Sequence, residues 1–248
     1  MTAPDPTGWI IDVDNPVEYA PVTLANGTLG LTTSPHGLTM TSVVLNGVYD
    51  PYGPDGVPRI LPGINVADMD VQIGGPRSHR DMHVTDWHQR FDMRRASLTT
   101  TFTLDDRVRV EHEIVALRHL PNVVLVTLRM TASKRTRVTL RHDVIIPEVL
   151  EPRSQYDREY DEVPGGPVIS CEAASPTGQH RLGAAVCYSF DREPSRSKYL
   201  IGSARDQMMR WTLTLDRGEH TSLSVIGALT STAQVADPRH EAERLAIF

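Results

Sequence analysis

Across residues 98–146 the chain repeats an apolar/polar alternation of period two, run after run, and few folds accommodate that. Leu98, Thr100, Phe102 and Leu104 alternate with Thr99, Thr101 and Thr103. Val108, Val110, His112 and Ile114 alternate with Arg107, Arg109, Glu111 and Glu113. Val124, Val126, Leu128 and Met130 follow, then Val138, Leu140, His142, Val144 and Ile146. Successive side chains of a strand point to opposite faces, so the pattern specifies antiparallel strands with one face buried and the other wet. A helix needs apolar residues three and four apart, which this stretch does not supply. Asp105-Asp106, between the first two runs, is a two-residue hairpin turn.

The fold class expected is all-β, a large antiparallel sandwich. A chain of 248 residues can bury one sizeable core without a second domain. Further strand patterns fall at 9–13, 28–33, 38–45, 70–73, 168–171, 182–190, 208–215 and 221–229. Asn26-Gly27 and Asn46-Gly47 are tight-turn dipeptides, since both residue types accept positive φ, and the second is expected to close its strand. The Pro- and Gly-rich segment 50–63 lacks the amide donors that regular structure needs and is expected to be a long loop. Segment 147–167 reads as a second loop or a short, poorly packing helical excursion, and the polar segment 76–90 as a third loop. Asp237 followed by Pro238 and a Glu/Ala/Leu run marks a helix start. The expected organisation is a sandwich over 1–236 and the beginning of a linker helix at 237–248.

Composition excludes several function classes. A net charge of −6 and a pI near 5.9 leave no basic face for nucleic acid. No apolar run approaches the ~20 residues that span a bilayer. The N-terminus has neither the basic start nor the apolar stretch of a signal peptide, so a cytoplasmic location is expected. Cys171 and Cys187 are too few for a disulfide framework; a reduced pair is preferred over a single bridge between them, and Cys187 is expected to be a buried small hydrophobe.

Four groups of residues have side chains suited to chemistry. Asp92 with Arg94 and Arg95 either clamps sugar hydroxyls or phosphate, or forms a buried ion pair with backbone hydrogen bonds at the start of the sheet; the second reading is preferred. His79, His83 and His88, interleaved with Asp81 and Asp86, are zinc-ligand types, but their spacing fits no metal motif and a solvated loop is expected. His112 and His142 share the apolar register of their strands and are expected to be hydrogen-bonded core residues; a sugar acid/base role is the alternative. Tyr49, Tyr52 and Trp87 either form a sugar-stacking platform or lid the end of the sandwich.

Several motifs, in order, resemble the N-terminal domain of glycoside hydrolase family 65. Glu18 and Ala25-Asn26-Gly27-Thr28-Leu29-Gly30 are similar to its "E…xNGxxG" segment. Asn46-Gly47-Val48-Tyr49-Asp50 is similar to its "GxYD" turn, with Leu61-Pro62 after it. Phe91-Asp92-Met93-Arg94-Arg95-Ala96-Ser97-Leu98 resembles its "LDMRxGxL", with Ala96 where the family usually has Gly. The resemblance implies a galactose-mutarotase-like super-sandwich that precedes a linker helix and a catalytic helical barrel in maltose, kojibiose and trehalose phosphorylases and related hydrolases. It further implies structural roles for Asn26, Gly27, Gly30, Asp50 and Asp92, with Tyr49, Tyr52, Trp87, Arg94 and Arg95 as the substrate-side candidates. No catalytic residue, metal or cofactor is expected on this chain. Its expected partners are a carbohydrate, the helical barrel and a second copy of itself.

Overall fold

The structure, a computed structural model, describes residues 8–16, 21–35, 37–158 and 167–247. Glu18, the lead-in residues 1–7, the Gly165-Gly166 pair and Phe248 lie outside the described residues. The strands in chain order are β1 (Ile10–Val13), β2 (Thr23–Ala25), β3 (Leu29–Thr33), β4 (Met40–Asp50), β5 (Arg59–Pro62), β6 (Asn65–Ile73), β7 (Val84–Asp92), β8 (Ser97–Leu104) and β9 (Val108–Ala116). They continue as β10 (Val123–Ala132), β11 (Thr136–Ile145), β12 (Glu151–Arg158), β13 (Val168–Ala174), β14 (Arg181–Phe190), β15 (Arg196–Ile201), β16 (Asp206–Leu215) and β17 (His220–Ser231), before helix α1 (Pro238–Ile247).

The alternating segments fold as their period requires. Asp105 and Asp106 adopt φ of +47° and +53°, the left-handed pair that turns β8 back onto β9. Leu104 then faces Val108, Phe102 faces Val110 and Leu98 faces Ile114, so both apolar sets reach one side together. A nine-stranded antiparallel sheet runs in the order β1-β7-β8-β9-β10-β17-β14-β13-β12. Two four-stranded sheets, β15-β16-β11-β6 and β2-β3-β4-β5, pack against it. Tyr188 of β14 meets Trp211 of β16 edge-on at 4.7 Å between ring centres, and Phe190 meets the same Trp211 at 5.3 Å. Burying a large apolar side chain such as Leu140 or Val225 contributes about 1.5–3 kcal/mol.

Helix α1 lies on the outer face of the nine-stranded sheet, over β13, β14 and β17. Ala242 and Ala246 are fully buried there against Ala185, Cys187 and Ala228. Asp237 Oδ1 accepts the His240 amide at 3.1 Å, the N-cap bond its position implied. Small residues on both sides let the helix seat closely. At Gly183 an added Cβ would fall 2.3 Å from the Arg239 nitrogen.

Four expectations are corrected. Asn46-Gly47 does not end a strand; β4 runs through it as a bulge, with Gly47 at φ +84° and the register shifting between Val44 and Tyr49. Residues 59–62 of the expected loop form β5, where Pro62 is tolerated because β5 is an edge strand. Residues 151–158 of the second expected loop form the edge strand β12. The third expected loop contains β7, whose alternation is interrupted by a bulge between Thr85 and His88, with Asp86 at φ +53°.

Candidate functional site

The β2–β3 turn is held chiefly by Asn26, with Asn46 Nδ2 donating to the Gly27 carbonyl at 3.0 Å. Asn26 Oδ1 accepts the amides of Thr28 (3.0 Å) and Leu29 (2.9 Å), while its Nδ2 donates to the carbonyls of Leu117 (2.7 Å) and Pro121 (3.0 Å). The turn is thereby tied to the β9–β10 connection, and Gly27 takes the left-handed φ of +98°. At Gly30 a methyl would stand 3.0 Å from Val44, so the β3–β4 pairing favours the smallest residue. Asp50 is fully buried; one carboxylate oxygen accepts from Thr177 Oγ1 at 2.5 Å, and Oδ1 has no partner among the described residues.

Asp92 accepts the amides of Arg94 (2.9 Å) and Arg95 (3.1 Å), closing the β7–β8 turn. The backbone part of the preferred reading therefore holds, but the ion pair is not buried. Arg95 lies 4.0 Å from Asp92 with its side chain largely exposed, where such a pair contributes little. Arg94 stacks over the Trp9 ring at 5.6 Å. Ala96 sits at φ +50°, the left-handed conformation that glycine takes without cost.

Tyr49, Tyr52 and Trp87 do not form one platform. Tyr49 is exposed on β4, directly opposite Ile60 of β5, and Tyr52 OH reaches the Ile60 carbonyl at 3.4 Å. Trp87 is buried on β7, in the nine-stranded sheet.

The three histidines expected on a solvated loop diverge. His83 is exposed, and its backbone amide donates to Asp105. His88, on β7, bridges Asp12 (3.1 Å) and Asp14 (2.6 Å). His79 is only 2% exposed, in a 3-10 turn (His79–Asp81), which corrects the solvated-loop expectation for that residue. Its Nδ1 is 2.6 Å from Asp70 Oδ1, which also receives the His79 amide (3.0 Å) and the Ser78 hydroxyl (2.9 Å). Burial alone would raise the Asp70 pKa, but the His79 bonds outweigh it and hold the carboxyl well below its usual range. Nε2 of His79 has no hydrogen-bond partner among the described residues.

Around this pair lie groups that the alternation concealed. Asp68 and Asp143 stand opposite each other across β6 and β11, both nearly buried. Burial raises both carboxyls, Asp143 to about 6 against the opposing pull of Arg141 at 2.8 Å. They line a polar cavity of about 380 Å³ with Asp70, Arg80, Arg141 and Gln72. The available signal was the pair of sequences Asp68-Met69-Asp70 and Arg141-His142-Asp143, which place charge at every second position of two strands that pair. Lys198, Arg210, Arg141 and Asp70 form one cross-strand row over β15, β16, β11 and β6, so three cations stand side by side.

His142 is fully buried and hydrogen-bonded, with Tyr188 OH and the Val66 carbonyl each at 3.0 Å. Burial lowers its pKa to about 4, and lowers that of fully buried His112 to about 3 with His79 nearby, but neither ring nitrogen of His112 has a hydrogen-bond partner among the described residues, so the hydrogen-bonded expectation holds for His142 alone. Neither ring reaches the surface, so the acid/base alternative for these two residues lacks an accessible substrate position. Cys171 and Cys187 are free and buried.

Comparison with known proteins places this geometry in a family. A kojibiose hydrolase of Mucilaginibacter mallensis is 34% identical over 254 aligned residues, covering 100% of this chain and 37% of that protein. A kojibiose hydrolase of Flavobacterium johnsoniae is 27% identical, over 97% of this chain and 36% of that protein. The solved structure described as "Putative kojibiose phosphorylase from human microbiome" superposes on 96% of this chain and 34% of its own, with a TM-score of 0.78 at 11% identity. The chain thus spans little more than a third of the length of the relatives it matches. Residues 15–247 match the N-terminal domain of glycosyl hydrolase family 65, and the chain belongs to that family.

Proposed function

We propose that this sandwich is the supporting, non-catalytic part of a family 65-type enzyme that cleaves α-linked disaccharides such as kojibiose in the cytoplasm. The observation that carries the reading is the match of the whole chain, at 34% identity, to 37% of a kojibiose hydrolase. The match leaves most of that relative uncovered, and in this reading the uncovered part carries the catalytic helical barrel. Residues 237–248 are the start of the linker to it, and the sandwich over 1–236 is the buttress. The exposed Tyr49–Ile60 pair, with Val57 in the loop between β4 and β5, gives an apolar surface on which a barrel would rest and from which the loop would border the sugar.

The test is complementation. The part of the M. mallensis enzyme that follows its sandwich is expressed separately, mixed with this chain and assayed on kojibiose with and without phosphate. Cleavage well above that of either piece is expected, and the phosphate dependence distinguishes phosphorolysis from hydrolysis. Two soluble, folded pieces that neither associate nor cleave together would reject the buttress role.

A further inference from the structure

The outer face of the sheet β15-β16-β11-β6 carries positive charge that nothing nearby balances. Arg196 and Lys198 of β15, Arg210 of β16 and Arg137 of β11 line one open cavity of about 410 Å³, and no carboxylate is among its walls. Among the described residues, no ion pair or side-chain hydrogen bond occupies any of the four. Other arginines of the chain are paired: Arg129 with Glu111, Arg181 with Glu172 and Arg244 with Glu241. The strand register brings the charges together, since Lys198 lies directly opposite Arg210, and Arg210 opposite Arg141. Strands are about 4.8 Å apart, and like charges placed so destabilise a sheet. The net charge of −6 is an average over the whole chain, and this face departs from it.

The chemistry of the cavity narrows its occupant. Cations without a counter-ion call for an anion, and guanidinium forks meet oxyanions bidentately. Thr139 and Thr212 add hydroxyls, but no aromatic ring lines the cavity, so neither a base nor a sugar face has anything to stack on. The patch is also short. Its central row ends on Asp70, and the adjoining cavity carries Asp68 and Asp143, so an extended polyanion such as nucleic acid would run onto carboxylates. The cations approach from three strands, which suits tetrahedral oxyanions better than a planar carboxylate. One phosphate group carries about −1.5 to −2 at pH 7 and leaves much of this charge unmatched, whereas two or three linked groups approach it.

We infer that this cavity binds a compact polyanion of the di- or triphosphate class, held by Arg137, Arg196, Lys198 and Arg210. Sodium orthophosphate, pyrophosphate and tripolyphosphate are titrated into the full chain by calorimetry at low ionic strength. Saturable binding is expected, tightening from orthophosphate to tripolyphosphate and weakening as salt is added. Arg210→Gln should weaken tripolyphosphate binding by about tenfold. Arg210→Glu, which places a carboxylate opposite Lys198 and Arg141, should abolish it. Arg210 is exposed and both substitutions relieve like-charge crowding, so the fold tolerates them. Arg118→Gln removes the same charge from the β9–β10 connection and should leave binding unchanged. No saturable binding to the folded wild-type chain, or an equal loss in Arg118→Gln, would overturn the proposal. So would tighter binding of a duplex oligonucleotide that is itself lost in Arg210→Glu, because an extended polyanion would then occupy this face. The titration needs neither barrel nor sugar, so its outcome is independent of the buttress role.

Discussion

Gly183→Ala isolates the seating of α1 from every other feature of the fold. Gly183 lies in β14 outside the left-handed region, so alanine suits its backbone, and an ordinary strand Gly→Ala exchange would stabilise by about 0.5–1 kcal/mol. Here the new methyl would stand 2.3 Å from the Arg239 nitrogen and 2.4 and 2.5 Å from the carbonyl carbon and oxygen of Pro238. These are backbone atoms of the first helical turn, so no rotamer change relieves the clash and the helix must lift. Overpacking of this kind costs about 1–3 kcal/mol. Lifting also strains the buried bond from Ser170 Oγ to Glu243 (2.5 Å), where a hydrogen bond to a charged group is worth about 1.5–3 kcal/mol. A net loss of about 3 kcal/mol is expected in urea denaturation, together with faster amide exchange in residues 239–247 but not in β8–β10. Gly75→Ala, with nothing within 4 Å and no positive φ, is the control and should change stability by less than about 0.5 kcal/mol. If Gly183→Ala is as neutral as the control, or stabilising, then close helix–sheet contact is not what this glycine serves.

Asn26→Ala removes four hydrogen bonds at once and should cost about 2–3 kcal/mol by denaturant midpoint, more than any other turn residue. Ala96→Gly relieves a left-handed alanine and should raise stability by about 0.5–1 kcal/mol, measured the same way. Asp143 is raised by burial from 3.8 to about 6, so its protonated form is favoured on folding. The stabilisation it gives is present below about pH 4 and lost as pH rises through 6. Asp143→Asn should therefore stabilise the chain by about 2–3 kcal/mol at pH 7 and by little at pH 4, read from denaturation curves at the two pH values. Burial pushes the Cys171 and Cys187 thiols up to about 12 and about 11, so neither should react with a disulfide reagent at pH 8 until the chain is unfolded.

The central strands were legible because each has one dry face, and a dry face imprints period two on the sequence. β8, β9, β10, β11, β16 and β17 all have neighbours on both sides. The elements that escaped notice have weaker imprints. β5, β12 and β15 are edge strands, where exposed positions dilute the alternation; β12 buries none of its residues fully. β7 carries the full pattern on either side of a bulge that shifts it by one position. The family motifs pointed to Gly27 and Asp92, whose work is local, and to Asn26, whose Oδ1 closes its own turn while its Nδ2 reaches the β9–β10 connection. His79 was not legible in the same way. Its partner Asp70 is nine residues back on another element, and the cavity it lines is shared with Trp87 and Phe102 on two further strands.

The polar groups also differ in how fully their side chains are paired. Asn26 and His142 use both ends of their side chains, so nothing remains for a ligand to satisfy. Around β6 the accounting is left open: His79 Nε2 has no partner among the described residues, Asp68 and Asp143 face each other at raised pKa, and three cations stand side by side on the adjoining strands. Like charges across a sheet and unpaired buried polar atoms each work against folding. A chain that only needed to hold a sandwich together would gain stability from apolar residues at these positions. The charged side chains that share one side of β6 are what a surface retained for binding would require.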